Sequence, residues 1–74
     1  MQNLISPKKV AENIENKILK KMSKAELSRK LDVTPQTIQG NLDNWKEGKS
    51  FRISTIQRIA DVAEISCEEL LTQN

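Results

Sequence analysis

The stretch SKAELSRKLDVTPQTIQ, residues 23–39, decides the fold of this chain. Ser23 is followed three residues later by Glu26, the spacing of a capping box, in which a hydroxyl and a carboxylate each satisfy a backbone N–H at a helix start. Thr34 then precedes Pro35, which gives a second N-cap with proline at the first helical position, where its missing N–H costs nothing. The stretch therefore predicts two short helices, one directly after the other.

The connection between these two helices is very short. Leu27 and Leu31 lie four residues apart and line one face of the first helix. Asp32 follows where a residue that tolerates left-handed backbone is needed, and only Asp32 and Val33 separate the helices. So short a connection predicts a helix-turn-helix (HTH), the bent helix pair whose second helix enters the major groove of DNA.

Apolar periodicity predicts a helix before this motif and extends the second helix of the motif. In the first helix, Ser6 is the N-cap, Pro7 takes the first helical position, and an apolar residue then recurs every four residues. In the third helix, a second apolar stripe continues until Gly48 ends the helix. The repeating residues are Val10, Ile14, Ile18 and Met22 in the first helix and Ile38, Leu42 and Trp45 in the third.

Two more capping boxes predict the last two helices. Ser54 with Gln57 opens a fourth helix, whose apolar face also allows a start up to one turn earlier, and Ser66 with Glu69 opens a short fifth helix. No linker or repeat interrupts the chain, so we expect one all-α domain over residues 1–74. The expected helices span about residues 7–21, 24–31, 35–46, 54–64 and 67–71.

Composition excludes several classes of protein. The 74 residues are 36% apolar with two aromatics, enough for one small aliphatic core but not for an enzyme cleft as well. With no histidine, and Cys67 as the single cysteine, we expect no enzyme activity, no cofactor, no metal site and no internal disulfide. Apolar runs are far shorter than the roughly 20 residues of a membrane span, which predicts a soluble, cytoplasmic protein without a membrane partner.

The charge is unevenly distributed along the chain. Residues 1–58 carry all 12 Lys and Arg against six acids, a net charge of +6, whereas residues 59–74 carry four acids and no base, a net charge of −4. This asymmetry is typical of a domain whose basic region binds a polyanion. A solvated surface with a chance imbalance would give the same pattern.

Two segments resemble the lambda-repressor-like Cro/CI family of HTH proteins. KAELSRKLDVTPQTIQ at 24–39 is similar to the family's Q-x-E-L-A-x-x-x-G-V-S-x-x-T-I-S, and RIADVAEISCEELL at 58–71 looks like its final two helices. The resemblance covers about residues 8–71 and implies a five-helix lambda-repressor-like domain that binds double-stranded DNA. It further implies a Cro-like repressor of a phage-type genetic switch in a bacterial cytoplasm, with a second copy of the chain or an opposing repressor as protein partners.

The chain departs from the family pattern at three places. Ser28 stands where alanine is usual, and Asp32 where glycine is usual. Asn41-Leu42 replaces an apolar residue followed by an acidic one, which moves the buried stripe of the third helix to the residues given above. The end of that helix is therefore expected to pack differently from the family.

The third helix carries the candidates for base recognition on the face opposite its apolar stripe. A glutamine amide pairs bidentately with adenine, so Gln36 and Gln39 are expected to read bases, although both would also suit ordinary polar surface. Thr37 either contacts a phosphate or a thymine methyl or covers the edge of the core. Gly40 either allows close approach of a partner or leaves the helix marginal.

Phosphate contacts are expected on both sides of this face. Lys24 sits at the start of the second helix, where the family commonly has a backbone-clamping glutamine and where the helix dipole attracts an anion. Further cations lie at or after the end of the third helix, where solvated loop residues would look the same. The complete predicted DNA-binding set is Lys24, Thr34, Gln36, Thr37, Gln39, Gly40, Asn44, Lys46, Lys49 and Arg52.

Two acids on the third helix favour a different function. Asp43 and Glu47 lie four residues apart, and phosphates would repel them. The same helix could instead meet basic side chains of another protein, with Gly40 giving the close approach. The alternative function is thus a modulator or antirepressor that binds a partner repressor through its HTH face.

Overall fold

Four helices of the described part begin directly after a serine or threonine N-cap residue. The computed structural model describes residues 6–72, so residues 1–5 and 73–74 of the predicted domain lie outside the described part. Within that part there are five helices and no strand, which confirms the predicted all-α class. The helices are α1 (Pro7–Lys17), α2 (Lys24–Leu31), α3 (Pro35–Lys46), α4 (Ile53–Ala63) and α5 (Cys67–Leu70).

Side-chain caps begin most of these helices as predicted. Ser23 Oγ accepts from the Glu26 N–H at 3.1 Å, and Thr34 Oγ1 accepts from the Thr37 N–H at 3.2 Å. The reciprocal bond, from the Ser23 backbone N–H to the Glu26 carboxylate, does not form among the described residues, so the first capping box is only half made. Ser66 and Glu69 do form the predicted box.

The predicted end of the first helix is wrong. α1 stops at Lys17 rather than at residue 21, because Leu19 donates its N–H to the Ile14 carbonyl, five residues back, and so leaves the helical ladder. Ile18 nevertheless remains buried and Met22 packs against the core. The four-residue repeat therefore marks burial through the turn that follows α1, in addition to burial within the helix.

The predicted start of the fourth helix is also corrected. α4 begins at Ile53 and Arg52 is its N-cap residue, since the Ile56 N–H already donates to the Arg52 carbonyl at 3.2 Å. Ser54 thus lies inside the helix and the predicted Ser54–Gln57 capping box does not exist. The helix ends at Ala63, one residue before the predicted end, because Glu64 adopts left-handed backbone.

The core lies where α1, α3 and α4 converge with the two shorter helices. α1 packs on α3 and α5, α2 packs on α3 and α4, and α4 packs on α5. The predicted stripes supply most of the buried side chains. The buried apolar residues are Val10, Ala11, Ile14, Ile18, Leu27, Leu31, Ile38, Leu42, Trp45, Ile56, Ile59, Ala60 and Leu70.

A buried asparagine joins the two ends of the fold. Asn13 on α1 is 3% exposed, and its Nδ2 donates to the carbonyls of Leu70 at 2.9 Å and Thr72 at 2.8 Å. Lys17 adds a bond from its Nζ to the Glu69 carbonyl at 2.8 Å. These bonds satisfy carbonyl groups at the end of α5 that have no partner within the helix.

Asn13→Ala should lower the free energy of unfolding by about 1–3 kcal/mol, because it leaves a buried carbonyl without its donor. Urea denaturation followed by circular dichroism measures the change. Asn16→Ala is the matched control, since Asn16 is an exposed asparagine of the same helix. Equal and small losses for both variants would contradict the structural role of Asn13.

Candidate nucleic-acid interface

The turn between α2 and α3 is held by backbone bonds around a left-handed residue. Asp32 has φ 61° and ψ 43°, which confirms its predicted conformation. The Val33 N–H donates to the Ser28 carbonyl at 2.9 Å and closes the end of α2. Ser28 is buried, and its hydroxyl donates to the Ala25 carbonyl at 2.7 Å, so serine in place of the family's alanine leaves no unsatisfied group.

Arg58 reinforces this turn from α4. Its Nη2 donates to the Leu31 carbonyl, the last of α2, at 3.2 Å. The sequence shows that the final carbonyls of α2 need partners, but not which distant donor supplies one. Arg58 is therefore a positioning residue that sequence reasoning missed.

α3 buries its predicted stripe and exposes the opposite face. Ile38, Leu42 and Trp45 are buried, which confirms the packing expected from Asn41-Leu42. The exposed face carries Gln36, Gly40, Asp43 and Glu47, with Gln39 half-buried at its border. The face thus combines amide and carboxylate side chains with a glycine that has no side chain.

Two side-chain hydrogen bonds organise this face. Gln39 Nε2 donates to Asp43 Oδ1 at 2.8 Å, one helical turn further on. The hydroxyls of Thr34 and Thr37 share a bond of 3.1 Å at the start of α3. Gln36 forms no side-chain hydrogen bond with any residue in the range 6–72 and leaves its amide available.

A groove beside the end of α3 gathers three of the predicted phosphate contacts. Gly48, at φ 93°, ends α3 and turns the chain into the loop that leads to α4. The open groove of about 350 Å³ that results lies between α3 and the start of α4. It is lined by Asn44, Lys49 and Arg52 together with Asn41, Trp45, Ser50, Phe51 and Thr55.

The cations of the predicted set differ in their partners. Lys49 Nζ lies 3.8 Å from Glu47 Oε1, an exposed pair that water screens strongly. Lys46 donates a hydrogen bond from its Nζ to the Glu15 carboxylate on α1, and this bond raises the pKa of Lys46 above its ordinary value of 10.5. Lys24 is exposed at the first position of α2, and neither it nor Arg52 pairs with an acid of the described range.

Gly40 is not required by the packing of the fold. A Cβ at this position would meet no atom within 4 Å, and the backbone is ordinary α-helix. Glycine inside a helix costs roughly 1 kcal/mol relative to alanine. The exposed face of α3 therefore contains a gap that nothing within the described residues fills.

The chain belongs to the family of Cro/C1-type HTH DNA-binding domains, whose pattern matches residues 18–74. The match includes α2 to α5 and starts later than the resemblance seen in the sequence, so that α1 precedes it. Searches of curated proteins and of solved structures gave no significant match. The domain is thus a DNA-binding domain of the HTH class.

Membrane spans and metal-binding groups are both absent from residues 6–72. None of the helices in this range has the length and apolar character needed to span a bilayer. No three His, Cys, Asp or Glu side chains of the range are grouped so that they could hold a metal ion.

Gly40→Ala should raise the thermal midpoint of unfolding and weaken binding to DNA. Stability should increase by about 1 kcal/mol from helix propensity alone, because the added methyl meets no protein atom. Affinity should fall because the methyl fills the gap that a closely approaching partner would use. Calorimetry and fluorescence anisotropy measure the two effects, and higher stability with unchanged affinity would show that Gly40 only weakens the helix.

Proposed function

We propose that this chain is a sequence-specific regulator of transcription that binds double-stranded DNA through the exposed face of α3. The observation that supports this most directly is the combination of a free amide on α3 with cations before and after it that pair with no acid of residues 6–72. Gln36 supplies the amide, Lys24 begins α2, and Arg52 lines the groove beside α3. Amides recognise base edges, whereas cations neutralise phosphates.

The proposed contacts fall into two groups. Gln36 and Gln39 read bases, and Gly40 lets the duplex approach closely beside them. Phosphates are bound by Lys24, Asn44, Lys49 and Arg52. The paired hydroxyls of Thr34 and Thr37 contact the DNA backbone. Lys46 gives up its pair with Glu15 and binds a phosphate instead.

We further propose that the chain acts as a Cro-like repressor of a phage-type genetic switch in a bacterial cytoplasm, and that two copies bind together. One small HTH module contacts few base pairs, whereas a pair reads two half-sites one helical turn apart. Sedimentation of the protein with and without duplex DNA tests the dimer, and a promoter–reporter assay tests repression.

The central experiment is selection of binding sites from random duplex DNA, followed by anisotropy titration of the selected site over a range of salt concentrations. Sequence-specific binding predicts enrichment of one motif and a linear fall of log affinity with log salt concentration. Recovery of a random pool with no salt-dependent binding would refute the proposed function.

Lys24→Ala should weaken binding to all duplexes alike, because a phosphate contact carries no sequence information. The log–log salt slope should flatten by about one unit. Lys30→Ala is the matched control: it removes the same charge from α2 about 9 Å further along the helix axis. Equal effects of both substitutions would indicate a general charge effect and remove Lys24 from the interface.

A second candidate function is supported by the acids of α3. Asp43 and Glu47 are exposed on the face proposed to meet DNA, where a polyanion would repel them. A modulator or antirepressor would place the same face against basic side chains of an opposing repressor. We favour DNA because the family is a DNA-binding one and because the surrounding cations outnumber the two acids.

Replacing Asp43 by Asn together with Glu47 by Gln separates the two functions. DNA binding should tighten, because two negative charges leave the neighbourhood of the phosphates. A complex with a basic protein should instead weaken and form more slowly, with the circular dichroism unchanged. Parallel titrations against operator DNA and the opposing repressor measure both, and a loss confined to the protein complex would favour the antirepressor.

A further inference from the structure

The hydrogen bond between Gln39 and Asp43 determines which way the Gln39 amide faces. A carboxylate only accepts hydrogen bonds, so the NH₂ group of Gln39 must be the side that faces Asp43, at 2.8 Å. The carbonyl oxygen Oε1 is thereby turned away from Asp43. No donor within residues 6–72 bonds to that oxygen, which leaves it free as an acceptor at the border of the exposed face.

We infer that Asp43 is a positioning residue which fixes the polarity of Gln39, so that Gln39 selects a base with an exocyclic amine in the major groove. This inference rests on the proposed binding of DNA by α3. Adenine presents its N6 amine and cytosine its N4 amine in that groove, whereas guanine presents only the acceptors O6 and N7. An outward-facing oxygen bonds the first two bases and repels guanine.

The selectivity comes from the cost of reversing the amide. A glutamine without such a partner, as Gln36 is, can rotate its amide and offer either a donor or an acceptor. One N–H of the Gln39 NH₂ group is held by Asp43, and the amide can place this group outward, where Oε1 now faces the base, only by rotating and giving up that bond. Breaking a bond of this kind corresponds to a preference of roughly threefold to tenfold for an amino base over guanine.

The same bond would also form if Asp43 merely stabilised α3, since glutamine and aspartate one turn apart support a helix. The two roles differ in what an amide at position 43 would do. The side chain introduced by Asp43→Asn would still bond to Gln39 and support the helix, but it can donate as well as accept, so it would no longer fix the polarity. A carboxylate on a longer side chain would still fix it.

The experiment therefore compares Asp43→Asn, Asp43→Glu and Glu47→Gln with the unaltered protein in site selection from random duplexes. Glu47→Gln is the matched control, because it removes one negative charge from the end of the same helix, where its carboxylate faces Lys49 rather than Gln39. Both amide variants should bind all DNA somewhat more tightly. Only Asp43→Asn should lose the preference at one base pair, by roughly threefold to tenfold, with thermal stability unchanged, and Asp43→Glu should retain it.

The base itself is identified on the selected site by removing its amine. Purine in place of adenine, or 2-pyrimidinone in place of cytosine, should weaken the unaltered protein at that position. Asp43→Asn should lose affinity for these analogues as well, because its freely rotating Gln39 amide still accepts from the base amine, so that only its discrimination against guanine is lost. Retention of the full preference by Asp43→Asn, or an equal loss in Glu47→Gln, would overturn the positioning role while leaving DNA binding intact. Failure of the unaltered protein to select any sequence would overturn the proposed function and this inference together.

Discussion

The left-handed backbone at Asp32 is the constraint on which the rest of the domain depends. It ends α2 and lets the chain reverse within two residues, so that the Val33 N–H reaches the Ser28 carbonyl. A non-glycine residue is tolerated there because aspartate visits this conformation more readily than most side chains. The bond from Arg58 to Leu31 then ties the same turn to α4. With this geometry fixed, α3 buries one face and presents the other to solvent.

The sequence predicted the helices well because their signals are local. Caps and proline positions act over three or four residues, and α2 and α3 accordingly begin and end where expected. The errors came where a local pattern had two meanings. The repeat that ends at Met22 describes burial, which continues after α1 has ended, and Ser54 lies at a spacing that suits a capping box without being an N-cap.

The sequence predicted which residues of α3 are exposed, but not which side chains pair with one another. Helical periodicity alone places Gln36 and Gly40 opposite the buried stripe, and both are exposed. The pairing of Lys46 with Glu15 spans 31 residues and depends on how α1 packs on α3, which no local pattern reveals. The bond from Gln39 to Asp43 could have been predicted, because residues four apart are neighbours on a helix. The same spacing, however, also fits two surface residues that do not interact.

The bonds of Asn13 have a consequence for how the protein is made. Asn13 is synthesised more than fifty residues before the carbonyls of Leu70 and Thr72 that it holds. α1 packs on α5 and on α3, so its apolar face has no complete partner while the chain is still growing. The domain therefore reaches its final packing only after residues 70–72 have been synthesised. Until then, the part of the apolar face of α1 that packs on α5 stays uncovered.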